Sequence, residues 1–138
     1  MTVKKIRAIS IHAPHAYAIC LGRKPYEYRN SPTKVRGWVL IHSSSSKASD
    51  KYFKDYGLED IKHLVSRQAI IGAAFISDCH KMEEGDYGYL FSEVLLFDNP
   101  VNGVKGCQSI FWGDCNDPAK IKAFDQAKNE LKAFDVSI

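Results

Sequence analysis

Lys24, Glu27 and Arg29 fall close together in the stretch GRKPYEYRN (22–30), around Pro25 and beside Tyr26 and Tyr28. An ammonium such as Lys24 holds a phosphate as a point charge. Desolvated in a cleft, it loses its proton more readily and becomes fit for proton transfer or nucleophilic attack. An ionised carboxylate offers only acceptors, so Glu27 would activate a water or receive hydrogen bonds from the exocyclic amine of a base. It would equally pair with Arg29 or Arg36 and hold the walls of a cleft. Arg29 and Arg36 carry planar forks suited to bidentate phosphate binding, and Tyr26 and Tyr28 offer faces on which bases stack.

His12, His15 and His42 lie near the same segments. His42, followed by Ser43 and Ser44, would act as an acid or base near neutral pH or lend a donor to phosphate. A plain hydrogen-bonding role is the other reading of each histidine. No metal or other cofactor is expected. The nearest approach to a ligand pair is Cys79 with His80, and adjacent residues on a strand point to opposite faces. The four cysteines are irregularly spaced and read as free thiols.

The net charge of +3 conceals an asymmetry. Residues 1–47 hold nine basic residues against the single acid Glu27, residues 48–68 balance, and residues 69–138 carry a net −5. A face built from the first third would attract polyanions, of which nucleic acid is the usual one in a cytoplasm. Scattered solubilising charge is the alternative. No apolar run approaches the roughly 20 residues that span a bilayer, and no apolar leader follows MTVKKIRAIS, so a cytoplasmic protein without membrane contact is expected.

The elements that must position these residues are short. A first strand is predicted around Ile6 to Ile11, then a helix of about two turns in APHAYAICLG, with Pro14 in its first turn and Gly22 as its stop. YEYR alternates with period two, which puts Tyr26 and Tyr28 on one side of a strand and Glu27 and Arg29 on the other. WVLI (38–41) reads as a strand covered on both sides, with Trp38 torn between core packing and base stacking. Residues 48–67 read as a helical insertion in two pieces broken at Gly57, its apolar stripe formed by Leu58, Ile61, Leu64 and Val65. Strands are expected in QAIIGAAFISDC, with a bulge or bend at Gly72, in YGYLFSEVLLF and near CQSIFW, with the loop NPVNGVKG before the last. Asp117 and Pro118 open a final helix to about residue 134 that puts Ile121, Phe124, Ala127, Leu131 and Phe134 on one face.

The length suits one domain, 1–138, with a single core. The element order does not alternate as a doubly wound fold would, and no phosphate-binding glycine loop or nucleophile elbow occurs. An α+β class is expected: a small mixed β-barrel of five to six strands with flanking helices. A monomer is the default.

The ordered segments SIHAPHA (10–16), GRKPYEYR (22–29), RGWVLIHSS (36–44), AIIGAAFISDC (69–79) and NPVNGVKGCQSIFW (99–112) resemble the ASCH domain, a family similar in fold to the PUA domain. The most specific part is G-x-K-x-x-E-x-R at Gly22, Lys24, Glu27 and Arg29. The resemblance implies a PUA-like barrel whose cleft, lined by this motif and by neighbouring strand ends at Arg36 and at His42 to Ser44, binds RNA or a modified nucleoside or nucleotide. Some members are amidohydrolases acting on N4-acetylcytidine, and ribonuclease activity is attributed to others, so a small hydrolase using Lys24 and Glu27 is the alternative. The amidohydrolases carry Thr where this chain has Glu27, and the family commonly has Trp where it has His15.

Overall fold

The structure, a computed structural model, describes residues 5–136. Lys4, counted above with the basic third, lies outside the described residues. The elements run β1 (Arg7–Ile11), α1 (Ala13–Cys20), β2 (Tyr26–Arg29), β3 (Gly37–Ser43), α2 (Tyr52–Asp55), β4 (Ala69–Lys81), β5 (Tyr87–Val101), β6 (Phe111–Trp112) and α3 (Pro118–Lys132). The six strands form one sheet in the order β2-β5-β4-β3-β1-β6. Only β1 and β3 are parallel.

The class is mixed α+β, as expected, and the sheet is curled into a half-barrel. Two contacts show the curl. Tyr89 of β5 stacks on Phe111 of β6, 6.0 Å between ring centroids, and Arg29 of β2 reaches the Ser10 carbonyl of β1, although three strands intervene in the sheet. The long antiparallel pair β4–β5 supplies the bend through register shifts at Ile70/Gly72, Phe75/Ile76 and Ile76/Asp78, since each bulge adds local twist.

The inside of the curl packs Ile9, Ile11, Val39, Ile41, Ile71, Ala74 and Tyr89 against the almost wholly buried α1. The outer face packs Ala8, Leu40, Ala73, Leu95 and Trp112 against α3. WVLI is therefore covered on both sides from Val39 onward, which explains its continuous apolar run. Trp38 stays half-buried, edge-on to Phe75 at 5.7 Å.

Several expected boundaries are corrected. Residues 48–67 hold one turn of α-helix and a 3₁₀ turn at Glu59–Ile61 in place of two helices; of the expected stripe, Leu58 is buried with Phe53 and the partly buried Ile61 and Val65 pack against the same core, while Leu64 is 72% exposed. A four-residue helix stopped by Gly57 at φ +70 cannot repay nucleation. Instead Arg67 ties the segment's end to its start, donating to the Ser46 carbonyl and to both carboxylate oxygens of Asp50. β5 runs on through Asn99–Val101, which the sequence assigned to a loop. Pro100 is tolerated there because β2 pairs only as far as Leu90, leaving β5 a neighbour on one side. On α3, Ala123, Phe124, Ala127 and Leu131 are buried, while Ile121 and Phe134 are exposed. The helix ends at Lys132 and the chain turns at Asp135, φ +59, so Phe134 never reaches the stripe.

Gly72 is the tightest point of the sheet. A Cβ there would overlap the Leu95 carbonyl oxygen and come within 2.8 Å of the Cys20 sulfur. Both neighbours are fixed, one by the backbone and one by burial in α1. Gly72→Ala is expected to cost about 2–3 kcal/mol, read as a lower urea midpoint with an unchanged slope.

Candidate functional site

The end of α1 places the motif. Gly22 takes φ +76, which an L side chain resists. Its N–H donates to the Ile19 carbonyl at 3.0 Å and that of Arg23 to the Ala18 carbonyl at 2.8 Å, the two bonds of a Schellman stop. The Lys24 N–H adds a third bond to Ala18 at 3.2 Å, so the chain leaves the helix in one direction and enters β2.

Within β2 the alternation holds. Glu27 and Arg29 share a side and pair, Arg29 Nε donating to Glu27 Oε2 at 2.9 Å, while Arg29 Nη2 donates to the Ser10 carbonyl at 2.8 Å. Tyr26 and Tyr28 stack on the other side, 5.8 Å apart. Lys24 folds over this pair: its Nζ donates to the Tyr26 carbonyl at 2.6 Å and sits 4.4 Å from the Tyr28 ring centroid. Burial lowers the Lys24 pKa, and Glu27 works against the drop.

Lys24, Glu27, Tyr28 and Arg29 line one wall of a cleft of about 400 Å³. The opposite wall is Ser10 and Ile11 with His12 and His15. Glu27 is 8% exposed, and its Oε1 has no hydrogen-bond partner among the described residues. His12 Nδ1 shares a 2.6 Å hydrogen bond with Ser49 Oγ, and His15 Nδ1 one of the same length with the Tyr56 hydroxyl. The His15 pKa falls to about 4, through burial first and then the charges of Lys24 and His12. That of Tyr56 rises to about 12, burial leading and Glu27 and Asp55 following. At neutral pH this pair is uncharged.

Among the described residues the cleft thus holds one lysine or arginine not bonded to a carboxylate, Lys24. Arg29 spends two of its donors on Glu27 and Ser10, which makes it a positioning residue before it is a phosphate ligand.

Six of the residues read from the sequence meet at the cleft: His12, His15, Lys24, Glu27, Tyr28 and Arg29. The others do not. Tyr26 turns away, packing over Gly88 and edge-on to His80. Arg36 lies on a different groove, its Nη1 donating to the Thr33 and Val35 carbonyls, because Gly37 ends the loop at the far end of β3. His42 is 1% exposed on the α3 side of the sheet. Its Nε2 donates to the Val104 carbonyl at 2.6 Å, leaving Nδ1 to accept from the Ser10 hydroxyl at 2.9 Å, which in turn accepts from Trp112 Nε1 at 3.1 Å. Burial lowers the His42 pKa, in keeping with this neutral ring. The chain of three bonds anchors β6 and the 102–110 loop and gives His42 no access to a substrate. Ser43 and Ser44 bury their hydroxyls without a partner among the described residues, and neither lines the cleft.

Two contributors escaped the sequence reading. Ser49 and Tyr56 come from the 48–67 segment and fix both cleft histidines. Tyr52 and Tyr56, four residues apart and so on one face of a helical turn, were the available signal; both rings contact His15. Comparison with protein-family models finds no match, and none is found among curated proteins.

The low His15 pKa has a consequence for stability. The unfolded ring protonates near pH 6.5 and the folded one only near pH 4, so unfolding takes up a proton in that window. Stability is intact above pH 6.5 and falls as pH drops through it. After discounting for a half-exposed ring, the loss by about pH 5 is on the order of 1 kcal/mol. Urea denaturation at the two pH values should show it, with a smaller difference in His15→Gln.

Proposed function

We propose that this cleft binds a base of RNA or of a modified nucleoside or nucleotide. The observation that carries the reading is the buried Glu27 carboxylate, aimed by Arg29 and offering Oε1 unpaired to a cleft within the 300–1,000 Å³ range of small-ligand sites. An acceptor held this way suits an exocyclic amine, and carboxylates take that bond from cytosine N4. Tyr28, 49% exposed at the rim, offers a ring for stacking. Lys24 beside it provides a donor for ribose or a single phosphate. The ordered motifs that resemble the ASCH domain support the same reading.

A hydrolase working in this cleft is the second reading, favoured by the desolvated Lys24 next to Glu27. On an N4-acylcytidine, Glu27 would take a proton from a water that adds to the acyl carbon, and Lys24 would donate to the developing oxyanion. The C–N bond then breaks, with the proton passing to the leaving amine.

Calorimetric titration with cytidine and cytidine monophosphate tests the binding. Glu27→Gln and Lys24→Met, each checked for folding by circular dichroism, should weaken it ten-fold or more, since a hydrogen bond to a charged group is worth about 1.5–3 kcal/mol. Affinity unchanged in both variants overturns the proposal. Chromatography after incubation with N4-acetylcytidine decides between the readings: cytidine released by the parent and not by Lys24→Met selects the hydrolase, and intact substrate selects binding.

A further inference from the structure

At the start of β1 and β3, the opposite end of β1 from Ser10 and Ile11, lies a second groove of about 440 Å³. Lys5, Arg7, Lys34 and Arg36 line it with Trp38 and Phe75, and no carboxylate among the described residues does. All four cations are exposed. Lys5, Arg7 and Lys34 form no ion pair among the described residues, and Arg36 has only Asp78 at 3.8 Å, a contact between two exposed groups that is worth little in water. The concentration is not an average of the surface: these four side chains come from two short stretches, 5–7 and 34–36, brought together because β1 and β3 run parallel with Arg7 opposite Val39.

We infer that this groove is a binding site for single-stranded nucleic acid, distinct from the cleft. The cations would sit on successive phosphates, and the half-buried Trp38, braced edge-on by Phe75, would offer a face to a base. A site for lone phosphate would not need the aromatic pair. A duplex, with its bases stacked inside, could use the charges and not the rings. The sequence assigned Arg36 to the same site as Glu27 and left Trp38 between core packing and base stacking; the structure separates both from Glu27 and groups them with Lys5, Arg7 and Lys34.

The test is fluorescence anisotropy with a labelled oligouridylate, its duplex with oligoadenylate, and inorganic phosphate as competitor. Single-strand affinity should fall at least ten-fold in Lys34→Glu with Arg7→Glu and several-fold in Trp38→Ala, and each lost phosphate contact should flatten the salt slope by about 0.7. Arg36 is left intact because it braces the 33–35 loop. Affinity unaffected by the two reversals, or a duplex bound as tightly as the single strand, overturns the inference. Cytidine binding to the same variants, measured in parallel, should stay at the parent value. A cleft that binds no nucleoside leaves the groove untouched, so the two claims fail separately.

Discussion

Arg29 is the constraint on which the half-barrel and its cleft both depend. A six-stranded sheet with free edges has no hydrogen-bonded ladder to keep it curled, and β2 is an edge strand of four residues. Its arginine bridges the opening by donating from Nη2 to the Ser10 carbonyl, while Glu27, two residues earlier and on the same side, accepts from Nε. Charge-assisted bonds of this geometry are directional as well as strong. They fix the distance between β2 and β1, and hence the width of the cleft between them. A carboxylate left without this partner would be a buried charge and would open the wall to water.

Ser10 links that closure to the other face of the sheet. Its carbonyl accepts from Arg29, and its hydroxyl sits in the chain from Trp112 to His42 to Val104. Gly106 passes so close that a Cβ there would stand 2.7 Å from the Ser10 hydroxyl, so the 102–110 loop seals the network from above. Polar groups in such a place stabilise only when all are satisfied, and here one residue is held from both sides. The position of β1 is consequently settled by bonds on two faces.

The sequence was most legible where one period dominated. Alternation in YEYR placed Glu27 and Arg29 together, a glycine after a two-turn apolar stretch marked the stop of α1, and the continuous run at 38–41 announced a strand covered twice. It was least legible where contacts between distant segments decide. His42 followed by two serines reads as a strand end open to solvent, yet the partners that enclose it lie 32 and 62 residues away. Residues 48–67 carry enough apolar side chains to suggest helices, but tertiary ties from Arg67 to Asp50 and from Tyr56 to His15 hold them as turns. Arg36 joins the motif in sequence distance and leaves it in space, because the loop at 30–36 carries it to the other end of β3.

That separation of charge explains why the basic third of the chain does not simply make a basic cleft. A carboxylate offers an acceptor to a ligand only where its oxygens are not already saturated. Crowding Arg36, Lys34 and Arg7 around Glu27 would have occupied both oxygens and left nothing for a ligand to donate to. With a single arginine aimed at Oε2 and a single lysine nearby, Oε1 stays open. Lys5, Arg7, Lys34 and Arg36, at the far end of β1, face solvent at low desolvation cost and keep their long-range pull on anions. The asymmetry in the sequence therefore resolves into two environments: a cleft in which the one acid, Glu27, stands among Lys24, Arg29 and two histidines, and a groove lined by Lys5, Arg7, Lys34 and Arg36.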